Sequence, residues 1–408
     1  MSQQGPILVI SAAGRPSFAA ALDVAKLFPV VEADWANCTR AIDQVQPAAV
    51  LADASEIDAA SVAALAARAA ARQPYLPLIA VDPKSQLPDN AIPFFQIGPT
   101  PDRLMARLRA ALRVRSLHAT VMRRQIPAAP IIMSRIDIAR EATVLLIGRG
   151  GSYPALSVAL GERTGVVGAL SIEAAAKHLN TRDIDGIVLC EGFSLRVVDA
   201  FLTVLTEDAR FRHLPVVVTA ADLAPTYELA NLEIISDAAA QVAGTVLPMI
   251  RQHAFESQLS RTLRAIDADG LIDARSGLLT SEAFDRDLAS AVYQTQQRGG
   301  GLSVARFAFD PTHPRAQVDG ARIISRLMRQ MDFGSIYDDG SVVVAFAETD
   351  LKSAHGIARR LSSVMRHTSH GARDVRSEPV VTVATLLAKD SAKSLLARLE
   401  QEAPRVAS

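Results

Sequence analysis

The sequence predicts a multidomain α/β chain: two copies of a parallel-sheet module, then an α+β module with a mixed or antiparallel sheet. Apolar β-type runs alternate with Ala- and Leu-rich helical stretches through the first 255 residues, the pattern of a parallel sheet covered by helices on both faces. The pattern occurs twice. Ile7–Ser11 is echoed by Val144–Gly148, Ala49–Asp53 by Gly186–Cys190 and Leu76–Ala80 by Leu214–Val218, at offsets of 137, 137 and 138 residues. In the last third, Asp338-Asp339-Gly340 lies between two apolar runs and marks a tight β-hairpin, because Asp and Gly both tolerate positive φ.

Composition bounds the function. A chain of 408 residues with 49% hydrophobic content has room for two or three domains, each with a core of its own. Forty-three Lys plus Arg balance forty-three Asp plus Glu, so no global field draws the chain to nucleic acid or an anionic membrane, and a partner must be met by a local site. Two cysteines, Cys38 and Cys190, are too few and too far apart for a disulfide framework, which predicts a cytoplasmic protein. The N-terminus lacks a basic segment followed by an apolar one, and Arg68 and Arg72 interrupt the Ala-rich stretch near residues 59 to 71. Neither a signal peptide nor a membrane span is expected. The eight histidines are scattered, without HExxH or CxxC, so neither a His/Cys metal site nor a cofactor is expected.

Taken in order, the first module is expected over 1–122 and the second over 141–255. Residues 123–140, with Pro127, Pro130 and the polar Arg123–Gln125, read as a linker. A first strand, a third strand ending in an acid or its equivalent, and a Leu-Pro opening the fourth strand resemble the flavodoxin-like receiver domain of response regulators. Receiver chemistry needs a phosphoacceptor Asp after the third strand, an acidic pair after the first to hold Mg²⁺, a Thr or Ser after the fourth and a Lys after the fifth. In the first copy Asp53 stands at the acceptor position, but Ser11-Ala12 replace the acidic pair, Asp82 the Thr and Gly98 the Lys. In the second copy Cys190 is at the acceptor position beside Glu191, Gly148-Arg149 replace the acidic pair, and Thr219-Ala220 remain. Both modules are therefore expected to be degenerate. Asp53 also reads as a solvated strand-end carboxylate, and Cys190 as a small buried apolar residue.

From about Val246 through Arg264, Ile250, His253, Gln258, Leu259 and Leu263 continue the last helix of the second module outward, and residues 256–271 are expected to form a helical stalk. The final module, 272–408, opens with Asp273–Phe284, in which Asp273, Gly277, Leu278 and Phe284 resemble the opening of the GGDEF domain, the diguanylate cyclase fold. Phe346–Leu351 and Val380–Ala384 resemble later parts of the same fold. The resemblance implies a signature at the hairpin, yet here the family's two glycines align with Asp338 and Asp339, its Asp-Glu with Gly340-Ser341 and its Phe with Val342. GTP phosphates need glycines that let backbone amides approach and carboxylates that hold metal ions. The family's first metal-binding Asp aligns with Ala308, while Asp310 keeps the second acid. Only 21 residues separate Asp310 from Asp332, which leaves the nucleotide-binding segment short. The sequence as given stops soon after Leu395–Leu399, where the family carries a further helix with a phosphate-contacting Lys. The expectation is a domain without catalytic residues.

Many GGDEF domains carry a second site, for their product cyclic di-GMP: R-x-x-D with five residues between its Asp and the signature. Arg329-Gln-Met-Asp332 followed by Phe333–Tyr337 keeps that spacing. A guanidinium presents a planar fork to phosphate or to the O6/N7 edge of guanine, and a carboxylate accepts from guanine N–H groups. Ile323, Ile324, Leu327, Met328 and Met331 fall at helical spacing and are expected to face the core, leaving Arg322, Arg326 and Arg329 as an outward basic stripe. Arg329 and Asp332 also read as a surface ion pair.

As a whole the chain resembles receiver–receiver–GGDEF response regulators of the PleD type, and within them a non-catalytic class of cyclic di-GMP effectors. That resemblance implies an adaptor at a cell pole which, loaded with cyclic di-GMP, recruits RcdA and the cell-cycle regulator CtrA for degradation by ClpXP, with a homodimer as an option. The alternatives are a ligand-independent scaffold and a phosphorylated response regulator.

Overall fold

A computed structural model of the chain describes residues 5–12, 14–26, 28–96, 102–124, 138–219, 223, 227–298, 301–312, 314–329, 331–365, 369–370 and 378–401. It divides into two compact units. One comprises Met1–Ala175 with Ile184–Leu259, and the other Ala176–Asp183 with Ser260–Ser408. The fold class is the one the sequence predicts, two parallel sheets followed by an antiparallel one.

In the first unit, strands β1 (Ile7–Ser11), β2 (Val30–Asp34), β3 (Ala49–Asp53), β4 (Leu78–Val81) and β5 (Ala91–Phe94) form a parallel sheet in the order β2-β1-β3-β4-β5. Helices α1 (Ser17–Ala25), α2 (Cys38–Val45), α3 (Ala59–Ala70) and α4 (Asp102–Arg124) connect and flank them. After a short α5 (Ile138–Glu141), the same order returns: β6 (Thr143–Ile147), β7 (Gly165–Ala169), β8 (Gly186–Leu189), β9 (Val216–Val218) and β10 (Leu232–Ile234) pair as β10-β9-β8-β6-β7. Their helices are α6 (Tyr153–Gly161), α7 (Ile172–Thr181), α8 (Leu195–Glu207) and α9 (Ala239–Asp267), of which α7 from Ala176 and α9 from Ser260 belong to the second unit. The fourth strands begin after Pro77 and Pro215, later than the apolar runs suggest. Proline has no N–H to give a ladder, yet both carbonyls still accept, from Val50 and Ile187. Central strands such as Ile7–Ile10 and Val144–Ile147 are buried on both faces, as in sheets covered by helices.

One hydrophobic core joins the two sheets, from Ile7, Val9 and Leu51 through Leu104 and Leu108 of α4 to Val144, Val188, Val246 and Ile250. Across it runs a buried ion pair. Glu233 is 0% exposed and Arg107 1%, with Arg107 Nη2 donating to Glu233 Oε1 at 2.9 Å, Nη1 to the Pro93 carbonyl at 2.7 Å and Nε to the Ala230 carbonyl at 2.8 Å. The expected stalk is the C-terminal part of α9, which continues past Pro248 to Asp267. Residues 125–137 of the expected linker, with Pro127 and Pro130, lie outside the described residues.

In the second unit, β11 (Leu302–Ala308), β12 (Phe333–Ile336), β13 (Val342–Ala347) and β15 (Val380–Thr385) form an antiparallel sheet in the order β12-β13-β11-β15, and Ser369–His370 form the short β14. Alternation along the strands sends Val342, Val344 and Phe346 to one face and Val343 and Ala345 to the other. On the first face lie α11 (Pro314–Leu327) and α12 (Leu351–Met365), the latter through Ala354, Ala358, Leu361 and Met365. On the second lie α10 (Ser281–Arg298), through Phe284, Leu288 and Val292, and α13 (Ala392–Gln401), through Leu395 and Leu399. Among the described residues no helix is long and apolar enough to cross a membrane.

Candidate functional site

The four residues that carry the GGDEF-like opening all have structural work here. Asp273 accepts from the Ser276 amide at 2.9 Å and from its hydroxyl, Gly277 turns the chain at φ 76°, and Leu278 and Phe284 are buried in opposite cores. Ser325 of α11 donates to the Gly277 carbonyl at 3.0 Å. The opening loop and α11 are thereby fixed to each other.

Helix α11 ends at Leu327, so Arg329 stands in the turn that follows, and the Asp332 amide closes that turn on the Arg329 carbonyl at 3.0 Å. Arg329 is exposed and forms no ion pair among the described residues. Asp332 enters β12 with only 7% exposure, and its Oδ1 accepts from the Ala347 amide at 3.2 Å. Burial raises its carboxyl above the ordinary value, against the lowering effect of the Ala347 and Arg329 amides and the Arg329 charge. The R-x-x-D pair is thus an outward cation beside an inward acid.

Of the expected outward stripe, Arg326 and Arg329 are exposed and Arg322 is buried. Arg322 is 8% exposed and its Nε donates to the Arg275 carbonyl at 2.9 Å, so it braces the opening loop. Arg326 is on the surface, but its Nη1 meets Asp183 Oδ1 at 2.8 Å and its Nη2 donates to the Leu179 carbonyl at 3.3 Å. Ile323 and Ile324 are buried as expected, Leu327 and Met328 partly, while Met331 is 56% exposed. The helix stops before Met331, and the period that placed it in the core no longer applies.

The signature hairpin forms. Ile336 pairs with Val342, the Tyr337 amide donates to Ser341 and the Gly340 amide to Tyr337, both at 2.8 Å, and Gly340 takes φ 78°. That is a three-residue loop with glycine at the left-handed position. Asp338 is exposed. Asp339 accepts from the Ser341 amide at 2.9 Å and the Ser341 hydroxyl at 2.6 Å, and pairs with Arg306 of β11, which also donates to Ser341 Oγ at 3.1 Å. Burial works to raise the Asp339 carboxyl, but the Ser341 and Arg306 contacts outweigh it and hold it below the ordinary range. Ser341 and Val342 are buried. Ala308 closes β11, and Asp310 accepts from the Thr312 amide at 2.9 Å.

In the first unit, Asp53 ends β3 half-buried, its Oδ1 accepting from the Ser55 hydroxyl at 2.6 Å and amide at 3.1 Å. Asp82 bonds the Gln96 amide and side chain, and Gly98 lies outside the described residues. Cys190 is 2% exposed just beyond β8. Burial, then the neighbouring Glu191 charge, push its thiol up to about 12. Glu191 accepts from the Ser152 hydroxyl at 2.6 Å, and Thr219 is buried with its amide on the Leu189 carbonyl. Among the described residues no three His, Cys, Asp or Glu come together to hold a metal ion.

Sequence reasoning missed Arg306, Asp183 and the Arg107–Glu233 pair. Arg306 had a visible signal, the one charge in a largely apolar strand. The other two depend on pairings across more than a hundred residues, which local pattern does not encode.

No family model and no curated protein matches this chain. Solved structures do. The coiled-coil and GGDEF domain of DgcB from Caulobacter crescentus, in complex with c-di-GMP, is similar over 35% of this chain and 84% of its own, at 14% identity and TM-score 0.31. A sensory box/GGDEF family protein from the same organism matches 33% of this chain and 96% of its own, at 20% identity and TM-score 0.30. The FimX GGDEF domain from Pseudomonas aeruginosa matches 33% and 91%, at 16% identity and TM-score 0.30.

Proposed function

We propose that the chain is a non-catalytic receptor for cyclic di-GMP, an effector of the PopA type related to the cyclase PleD. The observation that carries the reading is Arg329, exposed and without an ion pair among the described residues, one turn from the Asp332 carboxyl at the head of β12. Arg329 grips a phosphate or the O6/N7 edge of a guanine, and Asp332 accepts from that base's N–H groups. Loss of cyclase chemistry is supported by the hairpin, where Asp338 and Asp339 stand in place of glycines and Asp339 is committed to Ser341 and Arg306. A triphosphate brought to this turn meets two carboxylates.

In this reading, ligand binding favours one arrangement of the chain, by no more than the difference in affinity between arrangements. The parallel-sheet modules then present protein-binding faces, which recruit RcdA and CtrA to ClpXP at a cell pole. Asp53 and Cys190 carry no phosphoryl group in this account: neither has the acidic pair or the lysine that would stabilise one. Calorimetric titration of cyclic di-GMP into the wild type and Arg329→Ala tests the core of it. Heat in the wild type that disappears in the variant is expected. The second reading, a ligand-independent scaffold, is favoured by the burial of Asp332 and the pairing of Arg326, and no heat in either protein would select it.

A further inference from the structure

Arg326 lies one residue before the end of α11, three residues ahead of Arg329, and is the nearest exposed guanidinium to it in the sequence. Two acceptors already hold it. Asp183 Oδ1 lies 2.8 Å from Nη1, and the Leu179 carbonyl, in the last turn of α7, lies 3.3 Å from Nη2. The carbonyls of a helix's last turn lack intrahelical partners and carry the negative end of the helix dipole, so the guanidinium satisfies a carbonyl and a carboxylate together. Asp183 belongs to the same compact unit as Arg326. A carboxylate and a phosphodiester are both single anions that a guanidinium fork binds through two oxygens.

Resting on the receptor reading above, we propose that Asp183 is a built-in competitor for the ligand: its carboxylate occupies Arg326 in the free protein, and a phosphodiester of the dinucleotide must displace it to gain the second arginine. The pair is partly exposed, 31% for the Arg326 side chain and 40% for that of Asp183, so the competition is modest and open to salt. It raises the ligand concentration at which the site fills. The Leu179 carbonyl keeps Arg326 oriented when the carboxylate leaves. Arg329, with no ion pair to break among the described residues, makes the first contact, and Arg326 follows.

The test is cyclic di-GMP affinity by calorimetry at low and high salt in the wild type, Asp183→Asn, Arg326→Ala and the double variant, with Asp287→Asn as a control for removing an exposed acid elsewhere. Asp183→Asn is expected to bind about three- to fivefold tighter at low salt, in line with an exposed ion pair, and the gain is expected to shrink at high salt. It should vanish in the Arg326→Ala background. The proposal is overturned if Asp183→Asn binds no tighter than the wild type, if Asp287→Asn shows the same gain, or if the gain persists without Arg326. Binding lost on Arg329→Ala but indifferent to Asp183 would sink the competitor and leave the receptor standing. Absence of binding in every variant sinks both.

Discussion

Glu233→Gln removes one charge from the centre of the first unit while keeping the side chain's shape and an acceptor oxygen. The glutamate is fully buried, and burial pushes its carboxyl up and the Arg107 guanidinium down, against their mutual attraction. Breaking such a pair from one side costs about 3–5 kcal/mol, because the remaining charge stays buried without a counter-charge. The Pro93 and Ala230 carbonyls continue to accept from Arg107, which places the expected loss near the lower end, about 3 kcal/mol. The chain's single tryptophan, Trp35, lies in this unit, with its indole N–H on the Asp53 carbonyl at 3.1 Å, so its fluorescence follows the first unit alone. With a urea m-value of about 2–3 kcal/mol/M, the midpoint falls by roughly 1–1.5 M. Replacing the pair, Arg107→Met with Glu233→Leu, removes both desolvation costs but takes the acid from Arg103 and the donor from the Pro93 and Ala230 carbonyls, so it should recover only part of that loss. A midpoint shift below about 0.3 M in Glu233→Gln, or a double variant less stable than the single one, would refute the reasoning.

Other consequences are as direct. Cys190 at 2% exposure and Cys38 at 7%, both with thiols pushed up chiefly by burial, should give no fast reaction with a disulfide reagent at pH 8 in the folded protein and two thiols in denaturant. A Cβ at Gly320 would lie 2.2 Å from the Phe309 ring, so Gly320→Ala should destabilise the second unit by about 1–3 kcal/mol, read as a lowered melting temperature by circular dichroism. Burial first, then the charges of Arg113, His253 and Arg212, lower the His213 imidazole to about 4 from 6.5. The unfolded chain therefore takes that proton first, stability falls as pH drops from 6.5 towards 4, and His213→Gln should flatten that limb of the melting-temperature profile.

The two parallel-sheet modules were legible because two physical codes overlap in the sequence. Continuous apolar runs mark strands buried on both faces, and the constant offset marks a duplicated connectivity. Strand ends were less legible, since Pro77 and Pro215 sit inside apolar runs yet have no N–H to give the ladder. At the candidate site the spacing of Arg329 and Asp332 could be read, as could the hairpin at Asp338–Gly340. What the two arginines before them do could not. Arg322 and Arg326 fall on one helical stripe, but their surroundings come from a loop at Arg275 and a helix end at Leu179, far away in sequence. Helical period reports the face on which a residue stands and carries no information on what else packs against that face.

Asp332 ties the ligand reading to acidity. As an acceptor for guanine N–H groups its carboxyl must be ionised, and burial has raised the pH at which it takes up a proton above the ordinary 3.8. Affinity for cyclic di-GMP should therefore begin to fall at a higher pH than an exposed carboxylate would give, and below the raised value by about tenfold per pH unit. The effect on the fold has the opposite sign. A carboxyl whose folded value exceeds its unfolded value binds its proton more tightly when folded, so the contribution of this group to stability is greatest in acid and declines as pH rises from 3.8 through the raised value. Acid that weakens ligand binding through Asp332 thus does so without loosening the turn that holds it. Asp332→Asn can still accept from the Ala347 amide but turns an N–H towards the base, and should bind at least tenfold more weakly with a flat pH profile. Wild-type affinity that stays constant down to the pH of unfolding, or an Asp332→Asn variant that binds as tightly as the wild type, would leave the inward carboxyl a structural bond to β13 and remove it from recognition.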